Sequence, residues 1–423
     1  MTVLQSVAAL LCLCAGAGYI NQLTLRWPPV LAMTLFSILL ALTLVALGEF
    51  GIIPLREVKA FIRAIDFADL VLHGLLGLLL FAGALFVDVE HLQCWGKPIA
   101  ALVTVGVLVS TFVVGGLLWV TAPWLGFDLP FWWCVLFGAL IAPTDPIAAL
   151  AIVRKAGAPK QMEIKLVGES LFNDGTGVML FLIVLGIVTT GEVALTTLVQ
   201  EVVIAPAGGA LLGWAGGVAT IRAIARVDHH PTEILMTLAL ATGVYGLAEA
   251  LHLSAPIAVV AAGLVVGHRA RSNAMSEETR GHLDAFWEGI DEILNALLFV
   301  LIGLELILID VSPSVIALGF LAWLAVLAGR WAGVFGALLP LHRRGNLGRG
   351  TTRVMVWGGL RGGISLALAL SLPQGAQANV LVAVTFVVVA LSAVVQGLTL
   401  GRVLPGSAVQ DALDESGSDK PEE

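Results

Sequence analysis

The amino-acid sequence predicts an all-α polytopic membrane protein of about thirteen transmembrane helices. Three observations lead there. Of 423 residues, 58% are hydrophobic and only 12% are charged, about half the charged share of a soluble domain. The mean hydropathy is +0.97. At about 20 apolar residues per crossing, a chain of this length is taken up by crossings and short connections. This composition excludes an ordinary soluble enzyme, a collagen, a disulfide scaffold and a disordered chain. The net charge of -8 gives no general attraction to nucleic acid, and no such partner is expected.

Windows of about 19 residues place apolar segments, in chain order, near 3–20, 29–48, 67–87, 98–122, 131–153, 164–190, 197–221, 232–251, 254–268, 286–309, 313–340, 351–372 and 378–401. The first resembles a signal peptide superficially, but it lacks a basic region and reads as a retained helix. Residues 54–66 carry apolar side chains at helical spacing with charges between them. They suggest a short helix along the outer surface, or a plain connecting helix. In the seventh segment Gly209, Gly213 and Gly217 repeat at four-residue spacing, which permits close helix contact within one subunit or between two. The ninth segment is short, so twelve crossings are the alternative count. A transmembrane unit thus spans 1–402, and the acidic residues 403–423 read as a short disordered cytoplasmic tail. Cys12, Cys14, Cys94 and Cys134 show no metal-ligand or disulfide spacing and read as small apolar fillers.

Lys and Arg gather on the cytoplasmic side of short connections, so charge tests the count independently of hydropathy. With the N-terminus outside, only Arg56, Lys59 and Arg63 fall on outer connections. Arg330 and Arg361 lie inside apolar segments, and the other basic residues fall on the inner side. The asymmetry supports an odd number of crossings, an outer N-terminus and a cytoplasmic C-terminus.

Charges within a bilayer cost about 2.5–3.5 kcal/mol each on insertion scales, so they are the first place to look for function. Asp145 lies in the fifth segment within IAPTDPIAAL, Glu169 and Asp174 in the sixth within GESLFNDGTG, and Arg361 in the twelfth within WGGLRGGISLALAL. Pro143 and Pro146 remove amide donors and clash with the preceding turn, so the fifth helix should break at Thr144 and Asp145. Gly358, Gly359, Gly362 and Gly363 lower helix propensity around Arg361. The two interrupted segments run in opposite directions, as inverted repeats require, and paired broken helices point to a transporter's midplane site. Asp145 and Arg361 are placed to offset the partial charges of the opposed half-helix ends.

Ser170 and Asp174 are four residues apart, as are Glu169 and Asn173, so each pair shares a face of the sixth helix. A buried carboxylate beside a hydroxyl and an amide oxygen offers hard ligands to a small alkali cation, and it also binds a proton. Glu169 has two readings, an ion ligand or a group that holds Arg361 and Asn173 in place. Glu305 and Arg330 form a candidate structural ion pair, and removing one partner would leave the other's charge bare. Glu201, Glu249 and the run Glu288, Asp291, Glu292 lie near segment ends, either solvated or lining an access funnel.

APTDP in the fifth segment, ESLFNDGTG in the sixth, NALLFVLIGLEL in the tenth and WGGLRGGISLALALSLP in the twelfth resemble, in order and spacing, the motifs of the NhaP-type sodium/proton antiporters of the monovalent cation/proton antiporter superfamily. The resemblance implies an NhaA-like antiporter fold with two crossed discontinuous helices. It implies a homodimer whose subunits have a core domain, including helices near 98–190 and 313–401, and a dimerisation domain from the remaining helices. It also implies sodium bound at Asp174, Ser170 and Thr144, with Asp145 and Glu169 near or joined through water, and with Asn173 and Arg361 orienting and stabilising the site. Asn173 and Asp174 match the Asn-Asp pair of the electroneutral branch, so one proton per sodium is expected. Gly363 stands where many members carry Ala.

The expectation is secondary antiport of sodium or lithium against protons in the cell (inner) membrane, with no cofactor and with the cation, the proton and lipid as partners. Potassium/proton exchange, a passive cation channel and an intramembrane hydrolase using Asp145 and Asp174 as acid and base are the alternatives. The broken inverted helices and the Asn173 amide favour transport.

Overall fold

The computed structural model describes residues 3–155, 160–191, 195–227, 229–269, 277–309, 312–342 and 349–403. Helix occupies every apolar segment that hydropathy predicts, and the described residues contain no strand. Among the described residues, eight helices are long and apolar enough to cross a membrane, and Val7–Leu23, Phe131–Leu140 and Ala255–Arg269 are shorter apolar helices. The chain is a multi-pass membrane protein. The tail expected at 403–423 lies, beyond Val403, outside the described residues.

Local chemistry sets the boundaries. Pro29 opens the helix Pro29–Glu49, where a missing amide costs nothing because the first turn has no acceptor for it. Leu55–Arg63 is the short helix expected within 54–66, with Glu57 in its first turn and Arg63 in its last, each favourable to the helix dipole. Asp66 turns the chain at φ 45°, and its side chain accepts from the Asp69 amide as the next helix starts.

The fifth predicted segment consists of two half-helices, Phe131–Leu140 and Pro146–Lys155. The twelfth consists of Arg349–Trp357 and Gly363–Leu370. Both breaks fall where the sequence puts them: at the proline pair, which withholds amide donors, and in the glycine-rich stretch around Arg361, where helix propensity is poorest.

Apolar side chains gather in two main clusters. One surrounds the broken helices, with Phe137, Phe181, Phe299 and Leu366 buried within it. The other joins Leu76–Leu85, His230–Ala250 and Ala255–Arg269 around Phe81 and Trp287, whose ring centroids lie 4.7 Å apart. Trp287 Nε1 donates to Thr237 Oγ1 at 3.0 Å, so this buried indole leaves no orphan donor. The helix Lys160–Thr190 gives Leu166 to the first cluster and Leu171 to the second. Its polar residues therefore stand at the junction of the two.

The helix Ala205–Ile224 approaches Ala255–Arg269 at backbone distance. A Cβ added at Gly213 would sit 1.9 Å from the Ala258 carbonyl oxygen, and one at Gly209 would sit 2.5 Å from that of Ser254. The glycine repeat thus serves packing within the chain. Gly213→Ala is expected to destabilise the protein by about 1–3 kcal/mol, because two backbones have to separate. Gly246, by contrast, has nothing within 4 Å of an added Cβ, and Gly246→Ala should gain up to about 1 kcal/mol of helix propensity. Thermal unfolding in detergent, followed by tryptophan fluorescence, reads both changes.

Candidate functional site

The two breaks meet. The Asp145 amide donates to the Leu360 carbonyl at 2.8 Å, an antiparallel bridge between the two unwound segments. Where a helix stops, its last carbonyls have no intrahelical partner and carry partial negative charge. For Phe131–Leu140 that charge is met by Arg361, whose Nη1 donates to the carbonyls of Ile141, Ala142 (2.7 Å) and Pro143 (3.3 Å). The second break is held from the other side. The Arg361 amide donates to Ser392 Oγ at 3.0 Å, and Gln396 Nε2 donates to the carbonyl of Trp357, the last residue of its half-helix, at 3.0 Å. Trp323 Nε1 in turn donates to Gln396 Oε1 at 3.3 Å. The Asp145 carboxylate lies over Gly362, where an added Cβ would be 3.2 Å from Oδ2. Glycine at that position admits an anion to the positive N-terminal end of Gly363–Leu370.

The helix Lys160–Thr190 brings the chemistry to this crossing. Asn173 Nδ2 donates to the Ala142 carbonyl at 2.9 Å and to Thr144 Oγ1 at 3.2 Å. Ser170 Oγ donates to the Thr144 carbonyl, and the Thr144 backbone lies beside the Asp174 carboxylate. The three residues expected to hold sodium, Asp174, Ser170 and Thr144, are therefore assembled. All three are buried, and Asp174 Oδ1 has no hydrogen-bond partner. Neither Arg330 nor Arg361 donates to it. Asp174, Ser170, Thr144 and Asp145 line a cavity of about 920 Å³ whose rim carries Asp88, Arg154, Glu163 and Arg280. Arg154 Nε meets Glu163 Oε2 there at 2.9 Å.

Two expectations are corrected. Arg330 does not pair with Glu305. Its Nη1 and Nη2 meet Glu169 Oε1 and Oε2 at 2.5 and 2.6 Å, fork to fork, and its Nε and Nη2 also donate to the Met355 carbonyl at 3.2 and 3.1 Å. The reason is axial position. Glu305 ends its helix, whereas Arg330 lies far inside Pro313–His342, roughly 25 Å from its start at the helical rise. Glu305 instead lies close enough to Asp66 to feel its charge. Glu169, expected as an ion ligand or as a partner of Arg361 and Asn173, spends both oxygens on Arg330 and does not line the cavity. Gly359 makes room for this pair, since a Cβ there would be 2.7 Å from Arg330 Nε.

Some residues of the cavity wall were not singled out by the sequence. Asn295 Nδ2 donates to its neighbour Asp291, at the carbonyl (2.7 Å) and at Oδ1 (3.1 Å), and both residues face the cavity with Glu288 and Glu292. The run Glu288, Asp291, Glu292 thus lies in the cavity wall. The available signal was the four-residue spacing of Asp291 and Asn295 on one helix face. Ser365 also lines the cavity, and its only mark in the sequence is a position just after the glycine break.

Residues 3–406 match the family model described as sodium/hydrogen exchanger, transmembrane. The chain is 45% identical to the Na(+)/H(+) antiporter NhaP of Pseudomonas aeruginosa, over 98% of this chain and 99% of that one. It is 35% identical to the Na(+)/H(+) antiporter NhaH of Halobacillus dabanensis, over 89% and 91% respectively. In fold it is similar to the solved structure of the sodium proton antiporter MjNhaP1 from Methanocaldococcus jannaschii at pH 8, with a TM-score of 0.74 over 96% of this chain and 99% of that one, at 20% identity.

Removing one partner of a buried ion pair leaves the other charge uncompensated. Glu169→Gln and Arg330→Gln should each lower stability by about 3–5 kcal/mol, and the double variant should lose clearly less than the sum. A double-mutant cycle on thermal unfolding reads the coupling.

Proposed function

Because the chain belongs to the sodium/hydrogen exchanger family, we propose that it exchanges sodium, or lithium, for protons by competition for one buried carboxylate, Asp174. The family's relatives are secondary transporters, and the chain is a transporter rather than an enzyme. The observation that carries the residue assignment is Asp174 Oδ1, buried, without a partner, and facing a cavity beside Ser170 and Thr144.

The carboxylate takes either a proton on one oxygen or a cation shared with the Ser170 hydroxyl and Thr144, whose hard oxygens suit a small alkali ion. It does not take both. Asp145 borders the same space and adds negative potential without occupying the seat. Asn173 and Arg361 supply geometry: Asn173 Nδ2 and Arg361 Nη1 both donate to the Ala142 carbonyl just past Phe131–Leu140. With Asn173 an amide and Glu169 locked to Arg330, Asp174 is the carboxylate of its own helix that keeps an oxygen without a donor. This favours one proton for one sodium.

Alternating access follows from the charge. Moving the site past apolar neighbours is penalised while Asp174 is bare and allowed once a proton or cation neutralises it, so neither substrate moves without return of the other. The rim residues Arg154 and Arg280 lie at ends that the distribution of basic residues assigns to the cytoplasm, which favours an inward-open reading of the cavity in the cell (inner) membrane. The core domain near 98–190 and 313–401 carries the site, the remaining helices form the dimerisation domain of a homodimer, and no cofactor enters the scheme.

Asp174→Asn should abolish sodium-driven proton movement in proteoliposomes read with an internal pH dye; exchange that survives in this variant refutes the assignment. Competition also fixes a sign. As pH falls below the proton affinity of the site, the apparent KM for sodium should rise about tenfold per pH unit by mass action while the maximal rate holds. A maximal rate that falls with unchanged KM rules competition out. Clamping the membrane potential with potassium and valinomycin should leave the rate unaltered if exchange is one for one.

A further inference from the structure

Several hydroxyls on the helices of this protein donate to the carbonyl one turn back. Thr34 donates to Val30, Thr43 to Leu39, Thr104 to Ala100 and Thr385 to Leu381. Ser365 does not. One turn behind it lie Arg361 and Gly362, in the break that precedes Gly363–Leu370. The residue is 0% exposed, and its Oγ has no partner.

That unused hydroxyl is not in an arbitrary place. Among the described residues, two that line the large cavity also carry a buried side-chain atom without a partner, Asp174 at Oδ1 and Ser365 at Oγ. Both are oxygens with lone pairs to offer. Ser365 follows by three residues Gly362, over which the Asp145 carboxylate lies, and it stands in the first turn of the half-helix that starts at the second break.

We propose that Ser365 Oγ is a further ligand of the transported cation, so that bound sodium is held from both broken helices. Asp174 and Ser170 come from Lys160–Thr190 and Thr144 from the first break, and Ser365 adds an oxygen from the second. A cation that has shed water needs several hard oxygens around it. A proton needs one carboxylate oxygen and gains nothing from a fourth ligand. Ser365 therefore strengthens sodium against the proton in their competition, and it accounts for a buried hydroxyl that would otherwise lower stability without return.

This inference rests on Asp174 as the exchange site, and the experiment separates the two. Sodium/proton exchange is measured in proteoliposomes for the unaltered protein, Asp174→Asn, Ser365→Ala and Ser365→Cys, together with sodium-dependent thermal stabilisation of each in detergent. Loss of one hydroxyl ligand should raise the KM for sodium by about fivefold, with the maximal rate within about twofold of the unaltered protein, and the stabilisation midpoint should shift by the same factor. Ser365→Cys keeps the side-chain shape and replaces a hard oxygen with sulfur, so it should behave like Ser365→Ala and supplies the answer if the alanine variant does not fold. An unchanged KM in either folded variant overturns the proposal. So does a reduced maximal rate at unchanged KM, which would make Ser365 part of a moving contact. No exchange by the unaltered protein, or full exchange by Asp174→Asn, defeats the Asp174 reading instead.

Discussion

Hydrocarbon offers no partner to a backbone amide or carbonyl, so a helix broken in mid-membrane has to be completed from inside the protein. The rest of this structure depends on how that demand is met. Arg361 gathers the carbonyls that end Phe131–Leu140, the Asp145 amide reaches Leu360 across the crossing, and Ser392 and Gln396 hold the second break from behind. The charge of Arg361 is an electrostatic counterweight to a helix end, and its Nη1 is turned to those carbonyls and not to the Asp174 carboxylate.

A second consequence is a division of labour among the carboxylates. Glu169 and Arg330 consume each other in a fork-to-fork pair that also ties the carbonyl of Met355, so this glutamate serves rigidity. Asp145 meets the N-terminal end of a half-helix through Gly362. Asp174 keeps an oxygen with no fixed partner. A rigid frame around a carboxylate oxygen that no donor holds can trade ligands at that oxygen without rebuilding itself.

Much of this was legible in the sequence because the signals were local. Proline and glycine withhold helical hydrogen bonds wherever they stand, so both breaks could be read directly, and four-residue spacing put Ser170 and Asp174 on one face. The failures were non-local. Pairing Arg330 with Glu305 used membership of adjacent helices and ignored depth, although the position of Arg330 deep inside its helix already argued for a partner away from the connection. Glu169 was misplaced for the same reason, since no local pattern says which of two buried arginines a glutamate will face. Ser365 was invisible because its meaning comes from what is missing one turn behind it, and that is a property of the fold.

Asn173 shows why the frame and the uncommitted carboxylate have to be separate groups. Its amide donates two hydrogen bonds, to the Ala142 carbonyl and to Thr144 Oγ1, and an amide keeps its donors at every physiological pH. An aspartate there would hold at most one donor, and only while protonated, so it would turn acceptor against acceptor whenever it ionised. The crossing would then tighten and loosen with the proton it is meant to carry. Placing an amide in the frame and a carboxylate one residue later keeps the architecture indifferent to the proton and leaves the occupancy of Asp174 free to change.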